Sequence, residues 1–216
     1  MSTIIERFSK IKFNITQISQ KKNVNIIAIS KTFSLDHIKP LIDHGHDHFG
    51  ENKVQEALSK WNLVKKDYQN INLHMVGKLQ SNKAKDAIRI FDYIHSLDNK
   101  KLADLLAKYQ RELNKNLKYF IQVNIGNELQ KSGISVIELE DFYNYCTKKI
   151  NLNVLGLMII PPNDDNANKY FKLLYDLNIK LGLKETSMGM SADYQNAIRC
   201  GSTFIRLGSA IFGERS

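Results

Sequence analysis

What most constrains this chain is an alternation met eight times along it: a short β-prone apolar run, then apolar side chains at helical spacing. The runs fall near residues 26–32, 46–52, 73–77, 93–97, 119–125, 154–160, 186–189 and 203–207, each too short for a buried helix. Strands that alternate with helices run parallel, because each crossover returns the chain in the same direction. Eight such units with short links predict an α/β fold closed into a single (β/α)8 TIM-type barrel, although 216 residues fall below the usual ~250. An open doubly wound sheet is the rival, but it calls for a glycine-rich first turn, and Lys31, Thr32, Phe33 and Ser34 hold no glycine. Nothing in the composition marks a linker, so residues 1–216 read as one domain. Ahead of the first strand, Ile4, Phe8, Ile11, Ile15 and Ile18 trace an extra N-terminal amphipathic helix.

The barrel gives each polar motif an address. Strand C-terminal ends face the active mouth, and helix-to-strand turns sit on the opposite, stabilising face. Lys31 ends the first apolar run at the mouth, where a partly desolvated amine is a nucleophile of the kind a Schiff base requires. Glu51, Asn52 and Gly77 map to the same end, with His74 and Met188 as further mouth candidates. Two segments, 187–191 and 206–210, resemble a phosphate cup after strands seven and eight. Gly189 and Gly208 alone would read as turn glycines; Ser191, Arg206 and Ser209 at the same face favour the anion site. Asn52 and Ser81 also suit helix caps, and for Ser81 that reading is preferred.

Composition narrows the function classes. A net charge of +9 invites nucleic acid, but the lysines are scattered, and no basic run is interleaved with aromatics. A solvated surface is expected instead. No apolar run approaches a membrane span, and no signal-peptide core opens the chain. Cys146 and Cys200 form no framework, which suits a reducing, cytoplasmic setting. His44, His46, Asp47 and His48 have the composition of a metal cluster, but they map to the far end of the barrel, and no metal is expected.

Several blocks carry a family resemblance: residues 29–32, 49–52, 74–83, 122–125, 131–133, 156–158, 187–191 and 206–213. Together they resemble the pyridoxal 5'-phosphate (PLP) homeostasis proteins, the YggS/PROSC family, from the first strand to the C-terminus. The resemblance implies a fold-type-III PLP barrel similar to the alanine racemase N-terminal domain, with the cofactor held as an internal aldimine. It makes Lys31 the covalent lysine, sets Arg206 beside the pyridine nitrogen, and puts Ser191, Gly208 and Ser209 on the phosphate. The stretch from Met190 to Gly213 is the part most similar to the racemase cofactor segment. A permanent cation at the ring nitrogen keeps that nitrogen unprotonated and weakens the cofactor as an electron sink. One departure is Phe33, where some relatives carry a second lysine.

The expected function is therefore a protein that holds, buffers and releases PLP without strong catalysis. Its partners would be PLP and apo PLP-dependent enzymes, with no nucleic acid or membrane, in a monomer or weak dimer. Lys131, in the loop after the fifth strand, is the candidate amine for passing the aldehyde onward. An amino-acid racemase is the alternative. Alanine racemase supplies its second base through a further β-domain and a partner subunit, and with the chain ending soon after Leu207 such a domain is not expected. An interaction module rests on charge alone.

Overall fold

The computed structural model describes residues 3–19, 23–126, 128, 132–164 and 166–214. Eight strands pair in parallel and in chain order: β1 (Asn25–Ile29), β2 (His48–Glu51), β3 (Asn72–Met75), β4 (Tyr93–Leu97), β5 (Lys118–Gln122), β6 (Asn153–Met158), β7 (Glu185–Met190) and β8 (Phe204–Leu207). Pairing of β8 with β1, from Asn25 opposite Phe204 to Ala28 opposite Leu207, closes the barrel. The helices are α1 (Thr3–Ile18), α2 (Leu35–Asp43), α3 (Val54–Asp67), α4 (Ala84–Ile90), α5 (Lys100–Glu112), α6 (Leu139–Asn144), α7 (Ala167–Lys180), α8 (Tyr194–Arg199) and α9 (Ser209–Phe212). A π-helical turn, Tyr145–Lys149, continues α6. The expected (β/α)8 barrel is the fold.

Side-chain alternation along each strand divides the interior in two. Outward residues such as Ala28, Phe49, Leu73, Ile121, Leu157 and Leu207 join the helix stripes in one large apolar shell. Inward residues Ile27, Ile29, Tyr93, Phe120, Met158 and Phe204 form a smaller cluster inside the barrel. The N-terminal helix α1 buries Ile4, Ile5, Phe8, Ile11 and Ile15 and packs across α2, α8 and α9. No helix among the described residues is long and apolar enough to cross a membrane.

Two sequence expectations need correction. The fifth apolar run continues to 125, but β5 ends at Gln122; Val123 pairs with the loop residue Ile134 instead, and the remainder lines the mouth. Ser81 does not cap a helix: it starts a 3-10 turn (Ser81–Lys83) whose cap position is Gln80, without a side-chain bond. His48, within the second run, is the first residue of β2, and its ring lies against His74, Tyr93 and Phe204. His44, by contrast, caps α2, and His46 Nε2 sits 2.9 Å from the His48 carbonyl oxygen. Among the described residues no three His, Cys, Asp or Glu side chains are grouped to hold a metal.

Candidate functional site

One cavity of about 490 Å³ opens at the C-terminal mouth of the barrel, within the usual range for small-molecule sites. Lys31, Asn52, Met190, Ser191, Arg206, Gly208 and Ser209 all line it. Ile29, Val76, Gly77, Ile160 and Ala192 complete the wall. Strand ends β1, β2, β3, β6, β7 and β8 thus converge on one space, as barrel geometry dictates.

The turn that carries Lys31 is tightly held. Ser30 donates its N–H to the Gly50 carbonyl at 3.0 Å and its hydroxyl to Glu51 Oε1 at 2.8 Å. Lys60, from α3, donates to the Ser30 carbonyl at 2.8 Å and to Glu51 Oε1 at 3.0 Å. Trp61 Nε1 donates to the same carboxylate oxygen at 2.9 Å. Burial pushes the Glu51 carboxyl above its ordinary value, while Trp61, Lys60 and Ser30 pull it back. The next residue, Thr32, has φ +69°, a left-handed conformation that is an outlier for a β-branched side chain. Glu56 accepts its N–H and fixes it there. Strain sustained by this many partners marks a position that the fold over-determines.

Beside Lys31, at the ends of β7 and β8, lies the cup. Ser191 Oγ accepts N–H bonds from Gly208 and Ala210, both at 3.3 Å, and so ties the seventh loop to the eighth. Gly189 has φ +92°, and a Cβ there would stand 2.6 Å from Ala197 Cβ, so the turn itself requires glycine. Gly208 is different: its φ is −110°, and an added Cβ would meet only ordinary contacts with Ile29 at 3.6 Å. Its glycine opens space beside the cavity.

Arg206 is 5% exposed. Nη1 donates to the Ser187 carbonyl and hydroxyl oxygens, both at 2.8 Å, and Nη2 to the Ile159 carbonyl at 2.7 Å. Those acceptors are all neutral. Burial lowers its pKa to about 10, which leaves the guanidinium a cation at neutral pH. Asn52 adds a second signal: its Oδ1 is buried with no hydrogen-bond partner among the described residues. It does not cap α3, whose cap position is Lys53. A buried acceptor without a donor calls for a ligand or an ordered water.

His74 and Met188 do not reach this cavity. His74 points inward but sits one layer too deep; Val76, two residues on, holds the mouth position. Met188 follows the inward Ser187, so the strand period turns it outward into the helix-facing shell. Lys131 lies outside the described residues. Residues that the motif reading passed over include His95, which stands behind Arg206 with Ser187, and Lys60 and Glu56, which hold the Lys31 turn. His95 left one sequence trace, a lone basic side chain within an apolar run.

The fold and site define a class. A family model described as alanine racemase, N-terminal domain, matches residues 7–216. Alanine racemase from Corynebacterium glutamicum superposes with a TM-score of 0.67 at 17% identity, covering 98% of this chain and 60% of that one, a likeness of fold alone. Within that class the relatives are more specific. The pyridoxal phosphate homeostasis protein of Pasteurella multocida is 36% identical over 228 residues, covering 99% of this chain and 98% of its own. That of Aquifex aeolicus is 37% identical over 199 residues, covering 88% and 86%. PipY of Synechococcus elongatus PCC7942, solved with PLP bound, matches with a TM-score of 0.87 at 33% identity over 97% of this chain and 100% of that one. The chain belongs to the pyridoxal phosphate homeostasis protein family.

Proposed function

We propose that this protein binds pyridoxal 5'-phosphate in the mouth cavity, holds it covalently through Lys31, and serves PLP homeostasis as a buffer or carrier without strong catalysis. The observation that carries the reading is the convergence of an amine, an anion cup and a donor-only cation on one cavity: Lys31, Ser191 with Gly208 and Ser209, and Arg206. The family names and PLP-bound PipY support it. Free Cys146 and Cys200 suit action in the cytoplasm.

The residues fit the cofactor group by group. The Ser191 hydroxyl and the Ser209 backbone N–H would hold the phosphate, with Gly208 leaving room for it. Lys31, on the same cavity, would hold the group through its aldehyde. Asn52, whose amide can both donate and accept, would meet a polar ring substituent. PLP supplies an electrophilic aldehyde conjugated to an electron-withdrawing ring. Arg206 limits that withdrawal, because a guanidinium can donate to the ring nitrogen but does not hand it a proton. A weaker electron sink favours holding the cofactor over fast carbanion chemistry.

The test is spectroscopic. Protein mixed with PLP should show a visible band that borohydride removes, leaving the label on Lys31 by peptide mapping. Lys31→Ala should lose the band and the reducible adduct while its circular dichroism is unchanged. An unaltered band in Lys31→Ala would overturn the assignment, and rapid racemization of alanine by the wild type would favour the racemase.

A further inference from the structure

Behind Arg206 a line of hydrogen-bonded side chains crosses the barrel. Arg206 Nη1 lies 2.8 Å from Ser187 Oγ, which lies 2.9 Å from His95 Nδ1. His95 Nε2 lies 2.9 Å from His74 Nδ1, and His74 Nε2 lies 2.8 Å from His48 Nδ1. Five strands supply one residue each: β8, β7, β4, β3 and β2.

The direction of every bond in this line can be derived. A guanidinium only donates, so Ser187 Oγ accepts from Arg206. The Ser187 hydroxyl proton then has one acceptor among its hydrogen-bonding partners, His95 Nδ1. With Nδ1 accepting, neutral His95 carries its proton on Nε2 and donates it to His74 Nδ1. The same step repeats, and His74 Nε2–H donates to His48 Nδ1. An imidazolium has no acceptor and would break the line at its own position. Complete burial agrees, holding His74 and His95 well below the ordinary imidazole value, with the Arg206 charge adding to the effect at His95.

We propose that Ser187, His95, His74 and His48 form a one-way hydrogen-bond relay whose polarity is set by Arg206 and which, in return, positions that guanidinium against the cofactor ring. The cofactor half of this statement rests on the PLP reading above; the polarity half does not. The relay lays its aligned dipoles with their accepting ends toward Arg206. A buried cation with only neutral partners needs such acceptors to hold its place. Aromatic packing is the competing role, since His74 stacks on Tyr93 with centroids 4.1 Å apart and His95 on Phe120 at 4.4 Å. Packing alone makes no demand on where the imidazole protons sit.

The experiment reads the tautomers directly. Imidazole nitrogen NMR of the 15N-histidine-labelled protein without PLP should show His95, His74 and His48 neutral with the proton on Nε2. Arg206→Met should mix the His95 and His74 tautomers, and Arg206→Lys, which keeps a permanent donor, should restore them. Proton placement on Nδ1 in the wild type, or tautomers indifferent to Arg206→Met, would overturn the relay. For the second half, His95→Phe keeps the stack but removes the bonds, and should weaken PLP about tenfold. Unchanged affinity in folded His95→Phe would reject the positioning role. Wild-type protein that shows the expected tautomers but binds no PLP would reject the cofactor reading and leave the polarity intact.

Discussion

The two faces of the same eight strands are built from different materials. Outside, between strands and helices, apolar side chains dominate, with Phe49, Phe142, Phe171 and Leu73 fully buried and Glu51 and Asn178 as hydrogen-bonded polar exceptions. Inside, aromatic rings share the space with His74, His95, Ser187, Gln122 and Arg206. Apolar burial is non-directional and scales with area, so the shell stabilises the barrel without fixing any one side chain's orientation. Buried polar groups are costly unless every donor meets an acceptor, so the inner face exchanges stability for defined geometry. The contrast teaches where this fold can be changed: shell residues bear on whether it folds, inner residues on what the mouth holds.

The largest expected effect lies in the shell. Phe171→Ala should lose roughly 3–5 kcal/mol of unfolding free energy, the usual range for a deleted buried aromatic. PLP affinity of the still-folded fraction, measured in the cold, should stay within about twofold, because Phe171 lies outside the barrel wall. A large loss of affinity at unchanged stability would erase the distinction between the two faces.

A second test is acid. Burial lowers the His46 pKa to about 4 from 6.5. His74 and His95, on the inner face, are also held well below the ordinary imidazole value by burial. The unfolded chain therefore takes up protons near pH 6.5 while the native protein does not. Stability should be full above pH 6.5 and decline as pH falls toward 4, by at most about 3 kcal/mol from His46 alone. Urea titrations at stepped pH read this slope. Cys146, in the shell, has its thiol pushed up to about 12 by burial and adds nothing in this range. A flat profile between pH 6.5 and 4 would mean that the imidazoles take up protons in the native protein as they do in the unfolded chain.

The smallest effect sharpens the comparison at the rim. Asn52→Ala removes a buried acceptor that has no partner, so the stability of the empty protein should change by less than ~0.5 kcal/mol or rise slightly. PLP binding should weaken several-fold. Reduced thermal stability with unaltered binding would assign Asn52 to the support of α3.

Much of this was legible in the chain before any coordinates. The apolar run at Ile26–Ile29 and its seven successors specify parallel strands, because period and length are local properties of sequence. Strand ends then specify the mouth, and Lys31, Ser191, Arg206, Gly208 and Ser209 do share a cavity. Reading failed where depth mattered. His74 and Val76 point the same way, yet only Val76 lines the opening, and a strand pattern alone does not give the height of a layer. Met188 was misplaced by a single step of the two-residue period.

What the sequence by itself determined, then, is the barrel and the list of residues at its rim. The tertiary structure decided which side chains meet. His48, His74, His95, Ser187 and Arg206 are scattered between residues 48 and 206, and neither composition nor spacing brings them together. Barrel closure does, because the stagger between neighbouring strands sets which inward residues share a level. The same holds for Lys60, whose reach from α3 to the Ser30 carbonyl depends on how that helix lies against β1 and β2. Patterns of period two and 3.6 are written along the chain; contacts across a closed sheet depend on register, which exists only once all eight strands have paired.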